Sequence, residues 1–207
     1  MRTVHLIHGF NERHKLQRPK LIVLGDELQG RGFDVRVHDY GHWDLVATRN
    51  NSNLARLIFP SIEDGDTLIG FSNGAALIAH LLRLGAKPKR VVLIQPALGK
   101  RWKPPACVKH ITVFHNEGDM ATVAGKWWRR ATSLLPWRWQ EKHNWGEMGH
   151  TGYIGDDKRF VQYKTDEPSR SHVTDEWSRL DLPKARGHSG WSYRKNAAWW
   201  KIIVSHA

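Results

Sequence analysis

Thr67-Leu68-Ile69-Gly70-Phe71-Ser72-Asn73-Gly74-Ala75-Ala76-Leu77 decides the fold of this 207-residue chain. Its first half belongs to a short run, Asp66–Phe71, of strand length. Its second half opens Asn73–Leu84, where Ala76, Leu77, Ala79, Leu81 and Leu82 recur at helical spacing. Gly-x-Ser-x-Gly, Gly70 to Gly74, joins the two. A strand that passes directly into a helix needs a sharp, strained turn, and the two glycines leave room where a Cβ would meet neighbouring backbone. Such a turn lifts the Ser72 hydroxyl to the helix N-terminus, where the backbone dipoles favour negative charge. Ser72 is therefore the candidate nucleophile.

Outward from this turn the chain alternates between short apolar runs and longer amphipathic ones. Strands are expected at Thr3–Ile7, Phe33–Val37, Arg90–Ile94, Ile111–Phe114 and around Trp137–His143. Helices are expected over Glu12–Gln29, Trp43–Phe59, Ala121–Leu135 and Ser192–Ser205, with Asn50-Asn51-Ser52-Asn53 a candidate interruption of the second. Alternating strands and helices predict an α/β domain, a mainly parallel sheet of about six strands covered on both faces. In such sheets ligands bind beyond the carboxyl ends of the strands. The whole chain, 1–207, reads as one domain. Residues 146–187 are its least regular part, expected to form a long excursion with a hairpin over Gly152–Tyr163 and to be a candidate lid.

His8-Gly9-Phe10 follows the first expected strand. Acyl transfer needs two N–H donors where the tetrahedral oxyanion forms. The backbone of Asn73, just after the nucleophile, supplies one candidate, and that of Phe10 the other, with Gly9 allowing close approach.

In this order of motifs the chain resembles the α/β-hydrolase superfamily, and in particular its small, capless serine esterases. The resemblance implies an α/β-hydrolase fold, an ester substrate and a Ser-His-Asp triad. It places the acid after the strand two beyond the nucleophile's, where the sequence reads His115-Asn116-Glu117-Gly118-Asp119. Asp119 fits that position best and Glu117 is the substitute. The base is expected at His188, in Gly187-His188-Ser189-Gly190 before the last helix, with His150 as the alternative. The first two strands of the larger enzymes have no counterpart here, and no long cap separates residue 94 from the acid, so an open site is expected. His115, Glu117 and Asp119 can also be read as metal ligands, but three ligands from one short segment need others converging on them. No phosphate-binding loop, dinucleotide fingerprint or zinc spacing occurs, so no metal or cofactor is expected.

Composition bounds the partners. A net charge of +12 favours anionic substrates or surfaces, yet Lys and Arg are spread along the chain without a long basic block, so nucleic acid is not expected as the main partner. The alternative function is a weakly catalytic or inactive module of the same fold, binding nucleic acid or an anionic surface through a basic, Trp-rich face. The expected partner is a small-molecule or polymer-borne ester. The single cysteine, Cys107, excludes an internal disulfide framework and points to the cytoplasm. No run reaches the roughly 20 apolar residues of a membrane span. Eleven tryptophans, including Trp127 and Trp128, are read first as core residues.

Overall fold

A computed structural model describes residues 3–9, 20–38, 47–124, 146–166, 184 and 197–207. Six strands form one sheet: β1 (Thr3–Ile7), β2 (Asp34–His38), β3 (Thr67–Phe71), β4 (Arg90–Ile94), β5 (His110–His115) and β6 (Phe160–Lys164). Their spatial order is β2-β1-β3-β4-β5-β6, and every neighbouring pair is parallel. The helices are α1 (Lys20–Gly30), α2 (Ala47–Ile58), α3 (Asn73–Arg83), the short α4 (Met148–Thr151) and α5 (Ala197–Ser205). A helical turn also spans 120–124.

Period-two alternation along the strands sends side chains into two separate cores. Leu68, Val91, Leu93, Ile111 and Val113 face α2 and α3 and pack with Leu54, Ala55, Leu77 and Leu81. Val4, Leu6, Ile69, Val92, Ile94 and Phe114 face α1 and α5 and pack with Leu21, Leu24, Leu28, Trp199 and Ile203. Of the tryptophans, Trp102 and Trp199 are buried in these cores, as expected for the residue type. Trp127 and Trp128 lie outside the described residues.

The expectation of a parallel sheet of about six strands, covered on both faces, is met. The Asn-rich stretch 50–53 does not interrupt α2, which runs through it. The expected hairpin over Gly152–Tyr163 is instead a loop leading to β6, which pairs parallel to β5 from Ile111↔Phe160 to His115↔Lys164. The part of the excursion from 146 to 166 therefore supplies α4 and the edge strand, while 167–183 and 185–187, and with them the rest of the candidate lid, lie outside the described residues. So do the expected strand at 137–143 and most of the expected helix 121–135. No helix among the described residues is long and apolar enough to cross a membrane.

Candidate active site

The strand order reverses between β1 and β3. From β1 the chain passes to β2 through α1 on one face, whereas from β3 it passes to β4 through α3 on the other. At such a reversal the loops leave the carboxyl edge of the sheet towards opposite faces, which is where ligands bind in open parallel sheets. Gly9 ends the described part of the loop after β1, and Ser72 forms the turn after β3.

Ser72 is the residue before α3 and has φ 53° and ψ −116°. A non-glycine residue at positive φ is strained, and it persists only where its surroundings over-determine it. Those surroundings are explicit. The Ser72 N–H donates to Ile94 O at 2.9 Å, and the Ser72 carbonyl accepts from Ala75 and Ala97, each at 3.1 Å. Gly70 and Gly74 make the turn sterically feasible. A Cβ on Gly70 would lie 2.8 Å from the Gly74 carbonyl carbon and 2.7 Å from Ile78 Cδ1. A Cβ on Gly74 would run into the carbonyl oxygens of Ile7 and His8. Gly9 sits against the nucleophile itself, since its Cβ would be 3.1 Å from Ser72 Cβ. The loop after β1 is thus held against the serine, and Asn73 begins α3 beside it. First-turn N–H groups of a helix are not used by the helix's own hydrogen bonds. Phe10, the other expected donor, lies outside the described residues.

Of the two candidate acids, Asp119 is fully buried and Glu117 is exposed. The Asp119 Oδ1 accepts from the Thr122 N–H at 3.2 Å, and its backbone N–H donates to Asn116 O at 3.1 Å. Gly149 closes over it: a Cβ there would collide with Asp119 Oδ2. Glu117 instead pairs with Lys164 at 2.8 Å, and that contact holds its carboxyl below the usual range.

His150 lies on α4, before β6 in the chain, half-buried. It belongs to a polar group at the ends of β5 and β6. His115 hydrogen-bonds the backbone of His150, and burial pushes the His115 imidazole below its ordinary pKa. Asp166 accepts from the Glu117 N–H at 2.9 Å. His188 lies outside the described residues. No group of three or more His, Cys, Asp or Glu residues is arranged to hold a metal among the described residues, and the reading of His115, Glu117 and Asp119 as a ligand set gains no geometric support.

The sequence reading missed two features. One is a chain of polar contacts across β1: Asp66 meets the buried His5 Nε2 at 2.9 Å, and His5 Nδ1 meets the half-buried His38 Nε2 at 2.8 Å. Asp66 accepts, so His5 donates through Nε2 and accepts from His38 through Nδ1. These residues come from β1, β2 and the approach to β3, with no local motif to signal their contact. The other is the position of the last strand, β6. Phe160-Val161-Gln162-Tyr163-Lys164 does alternate in polarity, but its half-buried edge character weakens the apolar signal. His172 is the first histidine after the last described strand.

No protein-family model and no curated protein matches the sequence. Solved structures do. The pyrethroid hydrolase PytH is similar with a TM-score of 0.52 at 12% identity, over 99% of this chain and 96% of that one. An extracellular alpha/beta-hydrolase from a Paenibacillus species is similar with a TM-score of 0.50 at 12% identity, over 100% of this chain and 99% of that one. At this identity the likeness is one of fold.

Proposed function

We propose that this chain, which has the α/β-hydrolase fold, is a serine hydrolase acting on carboxylic esters. The observation that carries the reading is Ser72, held at φ 53° between β3 and α3 with Gly9 of the β1 loop against it. A strained residue at the carboxyl edge of a parallel sheet is costly to keep, and use of its half-buried hydroxyl accounts for that cost. PytH, a pyrethroid hydrolase by its name, shares the fold and supports hydrolysis as the chemistry.

In this reading Ser72 Oγ attacks the ester carbonyl carbon while a histidine takes its proton. The oxyanion forms against the N–H groups of Asn73 and Phe10. Collapse of the tetrahedral intermediate expels the alcohol, which receives the proton from the histidine. Water then attacks the acyl-enzyme with the same histidine as base, releasing the carboxylic acid and restoring Ser72. Asp119 serves as the acid, because its burial beside the β5 loop suits a group that fixes a histidine tautomer. His188, in the segment after β6, is the expected base, with His150 on α4 as its alternative and His172, also after β6, a further candidate. The substrate is a small-molecule or polymer-borne ester.

Hydrolysis of short p-nitrophenyl esters by Asp119→Asn, His150→Ala, His172→Ala and His188→Ala tests these roles. Folded Asp119→Asn and one of the two variants after β6 are expected to lose roughly 10³-fold or more in kcat. His150→Ala is expected to stay within about tenfold of wild type. Loss in His150→Ala alone would move the base to α4.

A further inference from the structure

Asn51 and Asn73 face each other in the interior. Asn51 Nδ2 donates to Asn73 Oδ1 at 2.9 Å, and Asn73 Nδ2 donates to Asn51 Oδ1 at 3.1 Å. Each residue is 1% exposed. Asn51 lies on α2, 22 positions before Asn73, and the surrounding contact between α2 and α3 is apolar, with Leu54, Ala55 and Ile58 meeting Ala76 and Leu77. Asparagine is a poor residue for a helix interior and a costly one for an apolar contact, unless its amide is satisfied. A closed amide pair meets that condition and also fixes both side chains, since each is held by two hydrogen bonds at once.

We infer that Asn51 is a positioning residue for the oxyanion site, acting through Asn73. The inference rests on the hydrolase reading above. Asn73 follows Ser72 directly, and its backbone N–H is the donor assigned to the oxyanion. Holding its side chain from α2 limits the rotation of the peptide unit that carries that N–H. It also ties the strained Ser72 turn to the apolar layer formed by α2 and α3, which is the kind of over-determination a positive φ requires. Pre-aimed donors stabilise the transition state more than the bound ester, because the oxyanion exists only there.

The test compares wild type with Asn51→Leu and Asn51→Asp on p-nitrophenyl butyrate, after circular dichroism and thermal melts establish folding at the assay temperature. Folded Asn51→Leu is expected to lose roughly 10- to 100-fold in kcat, with KM within about twofold. A purely structural contact would lower the melting temperature and leave kcat of the folded enzyme unchanged. Asn51→Asp supplies a second readout, and carries the test if Asn51→Leu does not fold. Its protonated carboxyl can donate to Asn73 Oδ1 and accept from Asn73 Nδ2, restoring the closed pair, whereas its carboxylate can only accept and adds negative charge near the oxyanion. Its kcat relative to wild type is therefore expected to rise as the pH falls. Wild-type-like kcat in folded Asn51→Leu, or a flat ratio across pH for Asn51→Asp, overturns the positioning role while leaving the hydrolase reading intact. Absence of turnover in wild type overturns both.

Discussion

Among the described residues, His38 and His206 are strongly altered by their surroundings. Burial is the main cause in both, and each imidazole is pushed down to about 4. For His38 the neighbouring His5 and Arg36 push the same way. His5 and His115 are lowered as well, chiefly by burial, even though Asp66 acts to raise His5. An unfolded histidine takes up its proton near pH 6.5, whereas folded His38 and His206 take theirs near 4. The unfolded chain therefore binds more protons between those values. Stability from these histidines is present in full above about pH 6.5 and is lost as the pH falls towards 4, by on the order of 1–3 kcal/mol for each. Thermal melts from pH 7.5 to 4.5 are expected to show this loss, and His38→Gln, which keeps a donor for His5 Nδ1, is expected to flatten part of it. A melting temperature independent of pH over that range would contradict the neutral state of His38 and His206. None of this was legible in the sequence. The contacts of His5 with His38 and with Asp66 span 33 and 61 positions and exist only once β1 and β2 pair and β3 is laid alongside.

At the scale of elements, α4 is a wedge. The Met148 N–H donates to Leu98 O and the Gly149 N–H to Pro96 O, while the Gly149 carbonyl accepts from Asn116, all at 2.9 Å. This one turn stitches the loop after β4 to the loop after β5 that carries Asp119. Gly149→Ala would push its methyl group against the Asp119 carboxyl and the backbone of Gln95, with little room to yield. The expected result is a folded protein whose kcat falls at least about tenfold through displacement of the acid. Unchanged kcat in that variant would separate α4 from the catalytic arrangement. Sequence reading succeeds for elements whose signal is local. β1, β3, β4 and β5 are apolar runs buried on both faces, and Gly70 to Gly74 announces the turn into α3. It fails where tertiary contacts decide. Residues 152–163 look like a hairpin because Gly152 and Gly155 punctuate an exposed stretch, yet pairing with β5 draws 160–164 into the sheet. The asparagines of α2 look like a break because helix propensity counts against them, yet the amide pair with Asn73 keeps the helix whole.

At the scale of the whole molecule, the described residues form a three-layer sandwich whose strand order reverses between β1 and β3, and that reversal brings a glycine loop and a serine turn together at one edge of the sheet. The fold and the strained turn at Ser72 were legible together, because Gly-x-Ser-x-Gly carries its mechanics only between a strand and a helix, and β3 and α3 flank it. The position of β6 was not, because its half-buried edge residues give a weaker apolar signal than the inner strands. The reading stands or falls on whether Ser72 is a reactive nucleophile. The direct measurement is labelling of the intact protein with a fluorophosphonate, followed by mass spectrometry of the whole chain and its peptides. A serine hydrolase of this design takes up one adduct per chain, on the peptide containing Ser72, and Ser72→Ala takes up none. A folded wild-type protein that stays unlabelled, or that labels equally well after Ser72→Ala, would show that the strained turn is not a nucleophile.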